Sequence, residues 1–391
     1  MLNASISAAP HPKCPGKRKF DTFRAAPYIQ ISSNFAGLTT VVRETKMSWL
    51  ETKIRRYEHA RWTTDNNRRV LPFDWGLEYI GGEANDPDPR AFLNRWVPET
   101  IARSDEWLAA TPPTDAHLSA SPKGLKNESL LTFTSAIESP WPENNKVHAR
   151  FLPARKNGPA VVLLPNWNAK WHGQLTLCRW LNTLGITVLR MSLPYHDRRA
   201  IPGHARADHL VGPNIGLTLH ATRQAIVDTR RCLLWLAQQG YHKLGLVGTS
   251  IGSAVGSITM CHDKLVSAAA FLHVSTYFGE VVRTGMTTAH VWEGLHAKVT
   301  AEELRYYWSP ASPMPYLHKM TNSGRPFLAI GGLYDPSMWP EFTLEMFAKL
   351  RELNVPHQTV LLPCGHYSLE LFPYSYYAAC RMGSFLFQNL A

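Results

Sequence analysis

The sequence predicts an α/β fold, a mostly parallel sheet with helices on both faces, on three observations. Short apolar runs at 161–164, 244–247 and 327–330 are too brief for helices and show no polar alternation, which marks strands buried on both sides. Between such runs lie stretches of helical period, among them 220–239 and the segment carrying Phe342, Met346, Phe347 and Leu350. Strand and helix then alternate along the chain, as the crossovers of a parallel sheet require.

From Met47 the spacing of Trp49, Leu50, Ile54 and Tyr57 predicts a helix, followed by an irregular aromatic stretch at 71–76. A second helix is expected from Pro89 to about Ala110, since Phe92, Leu93, Trp96, Val97, Ile101, Trp107 and Leu108 recur at three and four; Pro112 and Pro113 stop it. This region reads as a helical layer, 47–126, that needs a partner surface. Near Ser129 the period changes. Runs at 130–136 and 147–152, separated by Pro140, Pro142 and Asn144-Asn145, read as a hairpin with a loose connection. Strand 161–164 follows, then a helix through Leu177, Cys178, Leu181 and Leu184 closed by Gly185, and strand 186–191. After a long loop come helix 220–239, strand 244–247, a helix after Ser250 and strand 266–272. An insertion at about 275–324 breaks the rhythm. Strand 327–330, a helix, strand 358–362 and a last helix to Leu390 complete a domain of 127–391.

Composition narrows the function. With 45% hydrophobic and 18% charged residues in 391, the chain is globular, neither disordered throughout nor collagen-like. Its net charge of +11 suggests a nucleic-acid or membrane-surface partner. Residues 1–46, however, hold Lys13, Lys17, Arg18, Lys19, Arg24, Arg43 and Lys46 against Asp21 and Glu44, so much of the excess sits in a tail expected to be disordered. No RNA-recognition, zinc-finger or helix-turn-helix pattern accompanies it, and no nucleic-acid partner is expected. Cys14, Cys178, Cys232, Cys261, Cys364 and Cys380 form no CxxC pair, which argues against a zinc site or a disulfide framework and for a reducing compartment. No apolar run reaches the ~18 residues of a membrane span, and the tail lacks the ~7–15-residue core of a secretory signal. A soluble cytoplasmic protein is expected. The tail, rich in Ser, Ala and basic groups, reads either as an organelle transit segment or as an upstream extension of a protein that starts at Met47.

The chemistry is concentrated in Gly248-Thr249-Ser250-Ile251-Gly252, a G-x-S-x-G directly after a buried strand and before a helix. Such a turn lifts the Ser250 hydroxyl out at a helix N-terminus, where the dipole favours developing negative charge. A serine needs a base and an acid to orient it. Beyond Ser250 the aspartates are Asp263, at a helix end, and Asp335, just past a strand end in Gly331-Gly332-Leu333-Tyr334-Asp335-Pro336; Asp335 is the expected acid and Glu341 the fallback. Of the two histidines that follow, His357 begins a strand and His366 follows its end, so His366 is the expected base.

In the order Ser250, Asp335, His366, with the elbow and the Gly365-His366 ending, residues 127–391 resemble the alpha/beta hydrolase superfamily, of serine-nucleophile type. The resemblance implies an eight-stranded, mostly parallel sheet and an oxyanion hole of two backbone N–H groups. One would belong to Ile251, the other to Trp167 in Pro165-Asn166-Trp167-Asn168, which replaces the relatives' His-Gly. Asn168, Tyr195, His196 and Ser275 follow predicted strand ends and are candidate substrate-binding residues; His196 with Arg198 and Arg199 suggests an acidic group. The insertion falls where relatives place a cap, and its aromatics suit either a lid over an acyl group or packing on the sheet. The expected function is hydrolysis of a small-molecule carboxylic ester through an acyl-enzyme on Ser250, without cofactor or metal. Peptidase, thioesterase or lactonase activity on the same triad, a peripheral membrane lipase and a noncatalytic binding module are the alternatives.

Overall fold

A computed structural model describes residues 48–120 and 128–390. The basic tail with Cys14 and the boundary expected near 126 lie outside the described residues. Helix α1 (Trp49–Thr64) turns Glu51, Ile54 and Glu58 inward, whereas Trp49 is 71% exposed. The inward stripe thus carries two carboxylates, against the apolar face expected. The aromatic stretch after it lies on backbone: Asp74 N–H donates to Pro213 O, and the N–H groups of Ile215 and Gly216 donate to Asp74 O and Trp75 O. A Cβ on Gly216 would sit 1.9 Å from Gly76 O, so only glycine permits this crossing.

Asp88 caps α2 (Pro89–Ala102) by accepting from Ala91 N–H, with Pro89 at the first helical position. The expected single helix to about 110 is broken at Arg103, and a short α3 (Ser104–Trp107) follows. Leu93, Val97 and Leu108 are fully buried.

The sheet has nine strands, not eight. The extra one is β1 (His117–Ala120), antiparallel to β2 (Ser129–Thr134), which in turn pairs with β3 (Lys146–Leu152). β1 is a largely exposed edge strand, so its residues carry no apolar pattern to read. β4 (Ala160–Leu164), α4 (Leu175–Thr183) and β5 (Thr187–Met191) come next. α5 (Ile215–Gln238), capped by Asn214 accepting from Leu217 N–H, starts five residues before the predicted 220. β6 (Leu244–Thr249), α6 (Ile251–His262) and β7 (Val266–Leu272) precede the insertion, which is helical: α7 (Phe278–Thr284), α8 (Ala289–Leu295) and α9 (Ala301–Tyr307). β8 (Phe327–Gly332), α10 (Pro340–Glu352), β9 (His357–Leu362) and α11 (Tyr374–Leu390) end the chain.

Strand order is β1-β2-β3-β5-β4-β6-β7-β8-β9, parallel from β5 to β9. Val162 and Leu164 of β4 join the core on one face, Val161 and Leu163 that on the other. Burial on both faces is why this strand reads as an unbroken apolar run. The order reverses at β4, between β5 and β6, and ligand crevices of open α/β sheets form outside the carboxyl ends of strands at such a point.

Candidate active site

Ser250 stands between β6 and α6 with φ 58° and ψ −119°, a conformation costing a non-glycine residue about 1–3 kcal/mol. Neighbours hold it there. Ser250 N–H donates to Leu272 O at 2.9 Å, and Ser250 O accepts from the N–H and hydroxyl of Ser253 at 2.8 and 2.6 Å. Both flanking glycines are demanded by backbone proximity: a Cβ on Gly248 would lie 2.4 Å from Gly252 O, and one on Gly252 would lie 2.3 Å from Leu164 O. α6 therefore starts against the end of β4, with Ile251 N–H among the first-turn donors that have no intrahelical acceptor.

Asp335, after β8, is buried and points both carboxylate oxygens at donors. Oδ1 accepts from the N–H groups of Ser337 and Met338 at 2.7 and 2.9 Å. Oδ2 lies 2.9 Å from His366 Nδ1 and 2.8 Å from His273 Nδ1. Burial alone would raise the Asp335 pKa, but His366 and His273 outweigh it and hold the carboxyl well below the usual range. For His366, burial lowers the pKa while Asp335, then Glu58 and Glu370, raise it, and the net direction is up. His273 is lowered, by burial first and by His366 second, and so stays neutral. The two imidazole rings lie 4.3 Å apart, centroid to centroid. His273, Asp335 and His366 offer three ligand-type atoms within 4.8 Å of one another. His366 Nδ1 is hydrogen-bonded to the carboxylate, whereas His273 Nδ1, equally near, lacks hydrogen-bond geometry to it.

Asn166, Trp167 and Asn168, after β4, line the same cavity of about 460 Å³ as Ser250, Ser275 and His366. His196 holds this loop from behind. Its Nε2 accepts from Asn168 N–H at 2.8 Å, while Nδ1 lies 2.8 Å from Pro194 O, an arrangement that uses the neutral ring; burial keeps its pKa down at about 4. Asn168 Oδ1 accepts from Ala207 N–H. The Ser275 hydroxyl is buried without a partner among the described residues.

Tyr195 and His196 do not border the cavity. Tyr195 is buried against Trp141 and His209, and its N–H donates to Asn144. The acidic-group reading of Arg198 and Arg199 is likewise corrected: Arg199 is fully buried 2.9 Å from Asp228, and Arg198 lies over the Trp171 ring. Positive charge enters the cavity wall elsewhere, through Arg61 and Arg68 of the N-terminal segment, Lys170 and Arg206; Asp65 meets Arg68 at 3.0 Å and Arg206 at 3.1 Å. Asp263 caps α6 and pairs with Arg230, Glu341 is exposed on α10, and His357 Nδ1 meets Val355 O. In the insertion Phe278, Val281, Thr288 and Pro313 face the cavity, whereas Trp308 is buried with its indole N–H on Ile215 O.

Two residues at the site had escaped the sequence reading, His273 and Glu58. His273 follows a strand end, as Ser275 does, and Glu58 sits four residues beyond Ile54 on the inward stripe of α1, where a carboxylate is out of place. Glu58, fully buried, accepts from the N–H groups of Tyr367 and Ser368.

No family model and no curated protein matches the sequence. Solved structures do. Acetyl xylan esterase 1 from Thermoanaerobacterium sp. JW/SL YS485 is similar with a TM-score of 0.55 and 14% identity, over 74% of this chain and 93% of that one. An alpha/beta hydrolase from Penicillium sp. sh18 gives 0.50 and 17%, over 68% and 99%. For the acylaminoacyl peptidase of Pyrococcus horikoshii the values are 0.50 and 14%, over 68% of this chain; the match spans 43% of the peptidase. Identities this low speak for the fold alone.

Proposed function

From the alpha/beta hydrolase fold of this chain, we propose that it is a serine hydrolase that cleaves a small-molecule carboxylic ester through an acyl-enzyme on Ser250. The observation that carries this reading is that Ser250, on its strained turn, and His366, with Nδ1 on Asp335, open into one cavity. With Nδ1–H committed to Asp335, Nε2 of His366 is left to take the Ser250 proton as Oγ attacks the ester carbonyl. The N–H groups of Ile251 and Trp167 are assigned to the oxyanion. The imidazolium then returns its proton to the leaving alkoxide. Water, deprotonated by the same ring, attacks the acyl-enzyme and frees Ser250. Asp335 stays ionised throughout, as its depressed pKa favours. Asn168 and Ser275 are assigned to the substrate-binding wall. The cysteines among the described residues are free thiols, in keeping with a reducing cytoplasm, and no helix there is long and apolar enough to cross a membrane.

A fluorophosphonate probe should label the protein at Ser250 and fail to label Ser250→Ala. A panel of esters of graded acyl length, run beside thioester, lactone and short peptide substrates, assigns the class. Folded protein that neither reacts with the probe nor turns over any substrate would make the fold a noncatalytic binding module.

A further inference from the structure

Helix α1 precedes the sheet in the chain, yet its Glu58 ends in the loop that carries His366. We infer that Glu58 is a positioning residue for His366, so that the N-terminal segment completes the active site; the role of His366 itself rests on the serine-hydrolase reading. The two oxygens of Glu58 bind consecutive N–H groups directly after His366: Oε2 accepts from Tyr367 at 2.9 Å and Oε1 from Ser368 at 2.8 Å. Directly before His366, Gly365 packs on the same carboxylate so closely that a Cβ would lie 2.5 Å from Glu58 Cδ and Oε1. Gly365 N–H closes the turn by donating to Ser368 Oγ at 2.7 Å. The loop is thus wrapped around a carboxylate supplied by another element.

The sheet alone would hold this loop poorly. It leaves β9, an edge strand whose residues are mostly exposed or half-buried. Burying a carboxylate is unfavourable unless its oxygens are hydrogen-bonded, so an apolar side chain would serve mere packing better. What a carboxylate adds is two fixed acceptors for the backbone on either side of one bond. Proton transfer needs heavy atoms within about 2.6–3.2 Å, and a displacement near 1 Å at a reacting group lowers rate on the order of 10²-fold. The charged and titratable groups that face His366 are Asp335 after β8, His273 after β7, Glu58 on α1, and Tyr367 and Glu370 on its own loop; Arg68 reaches Tyr367 OH at 3.3 Å.

The test uses the full chain. Glu58→Gln keeps the shape and one carbonyl acceptor and removes the charge. The fluorophosphonate labelling rate of Ser250 is expected to fall about 10- to 100-fold, and the His366 ring, followed by NMR, to titrate lower, since Glu58 is one of the charges that raise it. Circular dichroism and melting report folding. Gly365→Ala, which pushes the loop off the carboxylate, is expected to slow labelling similarly and decides the matter should Glu58→Gln not fold. A folded variant that labels at the wild-type rate overturns the proposal, whatever its titration. Wild-type protein that is not labelled overturns the hydrolase reading instead; the ring titration then decides, and an unchanged His366 in Glu58→Gln overturns the contact.

Discussion

Asp335 Oδ2 faces two imidazoles, and the consequences are measurable at single residues. On the proposed mechanism, Ser250→Ala and His366→Ala should each lower turnover by several orders of magnitude without unfolding the protein, because members of such a triad act as a unit. Asp335→Asn should cost about 10⁴-fold, since it misdirects the ring that Asp335 orients. Either steady-state kinetics or the labelling rate checks these values; near-normal turnover by Ser250→Ala would end the assignment. The pH profile carries a sign. His366 works as a base only when neutral, and its pKa is raised, so kcat/KM should climb with pH through a limb above the ordinary imidazole value of ~6.5. His273→Leu removes the imidazole that lies 2.8 Å from Asp335 Oδ2, leaves the carboxylate a stronger partner for the imidazolium, and should move that limb further up. A limb that moves down would show that His273 does not share the acid.

Among the elements, the start of α6 is the least forgiving. Gly252 abuts the backbone carbonyls of Leu164 and Pro165, which cannot rotate away as a side-chain end would. Gly252→Ala should therefore destabilise by about 1–3 kcal/mol in urea unfolding and lower turnover by displacing the Asn166–Asn168 loop. Wild-type values for both would show that helix and strand have slack there. Behind the same loop, β5 supplies Arg190, fully buried, which donates to Asp197 Oδ2 at 3.0 Å and to the carbonyls of Gly173 and Lys170. Removing one partner of such a pair strands the other charge, and Asp197→Ala should cost about 3–5 kcal/mol by the same measurement.

For the whole molecule, acid is the expected weakness. His148, His196, His209, His262 and His290 are each held down at about 4, with burial the first cause. Between about pH 6.5 and 4 the unfolded chain binds protons at these sites that the folded chain does not, so stability falls as pH drops through that window and is unaffected by them above it. His366, raised, acts oppositely and is outnumbered. Melting temperatures across this range check the sign. The N-terminal segment gives a second molecular prediction. It contributes buried Leu77, Leu93, Val97 and Leu108, the Glu58 contact and part of the cavity wall. A chain shortened to begin at Met47 should melt and act like the full one, while one beginning at Ser129 should be insoluble or inactive. A stable, active Ser129 chain would make 47–126 a separate module.

What the amino-acid order determined by itself is local and periodic. Unbroken apolar runs made β4, β6 and β8 legible because both faces of these strands are buried, and G-x-S-x-G marked the turn because Gly248 answers to the backbone of Gly252 in the same turn. The parallel α/β sheet followed from that alternation, the alpha/beta hydrolase fold from the resemblance carried by the elbow and the order Ser250, Asp335, His366, and the approach of Asp335 and His366 was readable from their places at strand ends. Only the tertiary structure decided what depends on contacts between distant segments. β1 was hidden because an exposed edge strand needs no apolar residue. His196 and Tyr195 follow a strand end as Ser275 does, yet the backbone turns them inward, to prop a loop and fill a core. Glu58 and the His366 loop are some three hundred residues apart and signal nothing to each other until α1 is laid against that loop. A hydrogen bond has no periodicity in sequence, so such pairs are settled by packing alone.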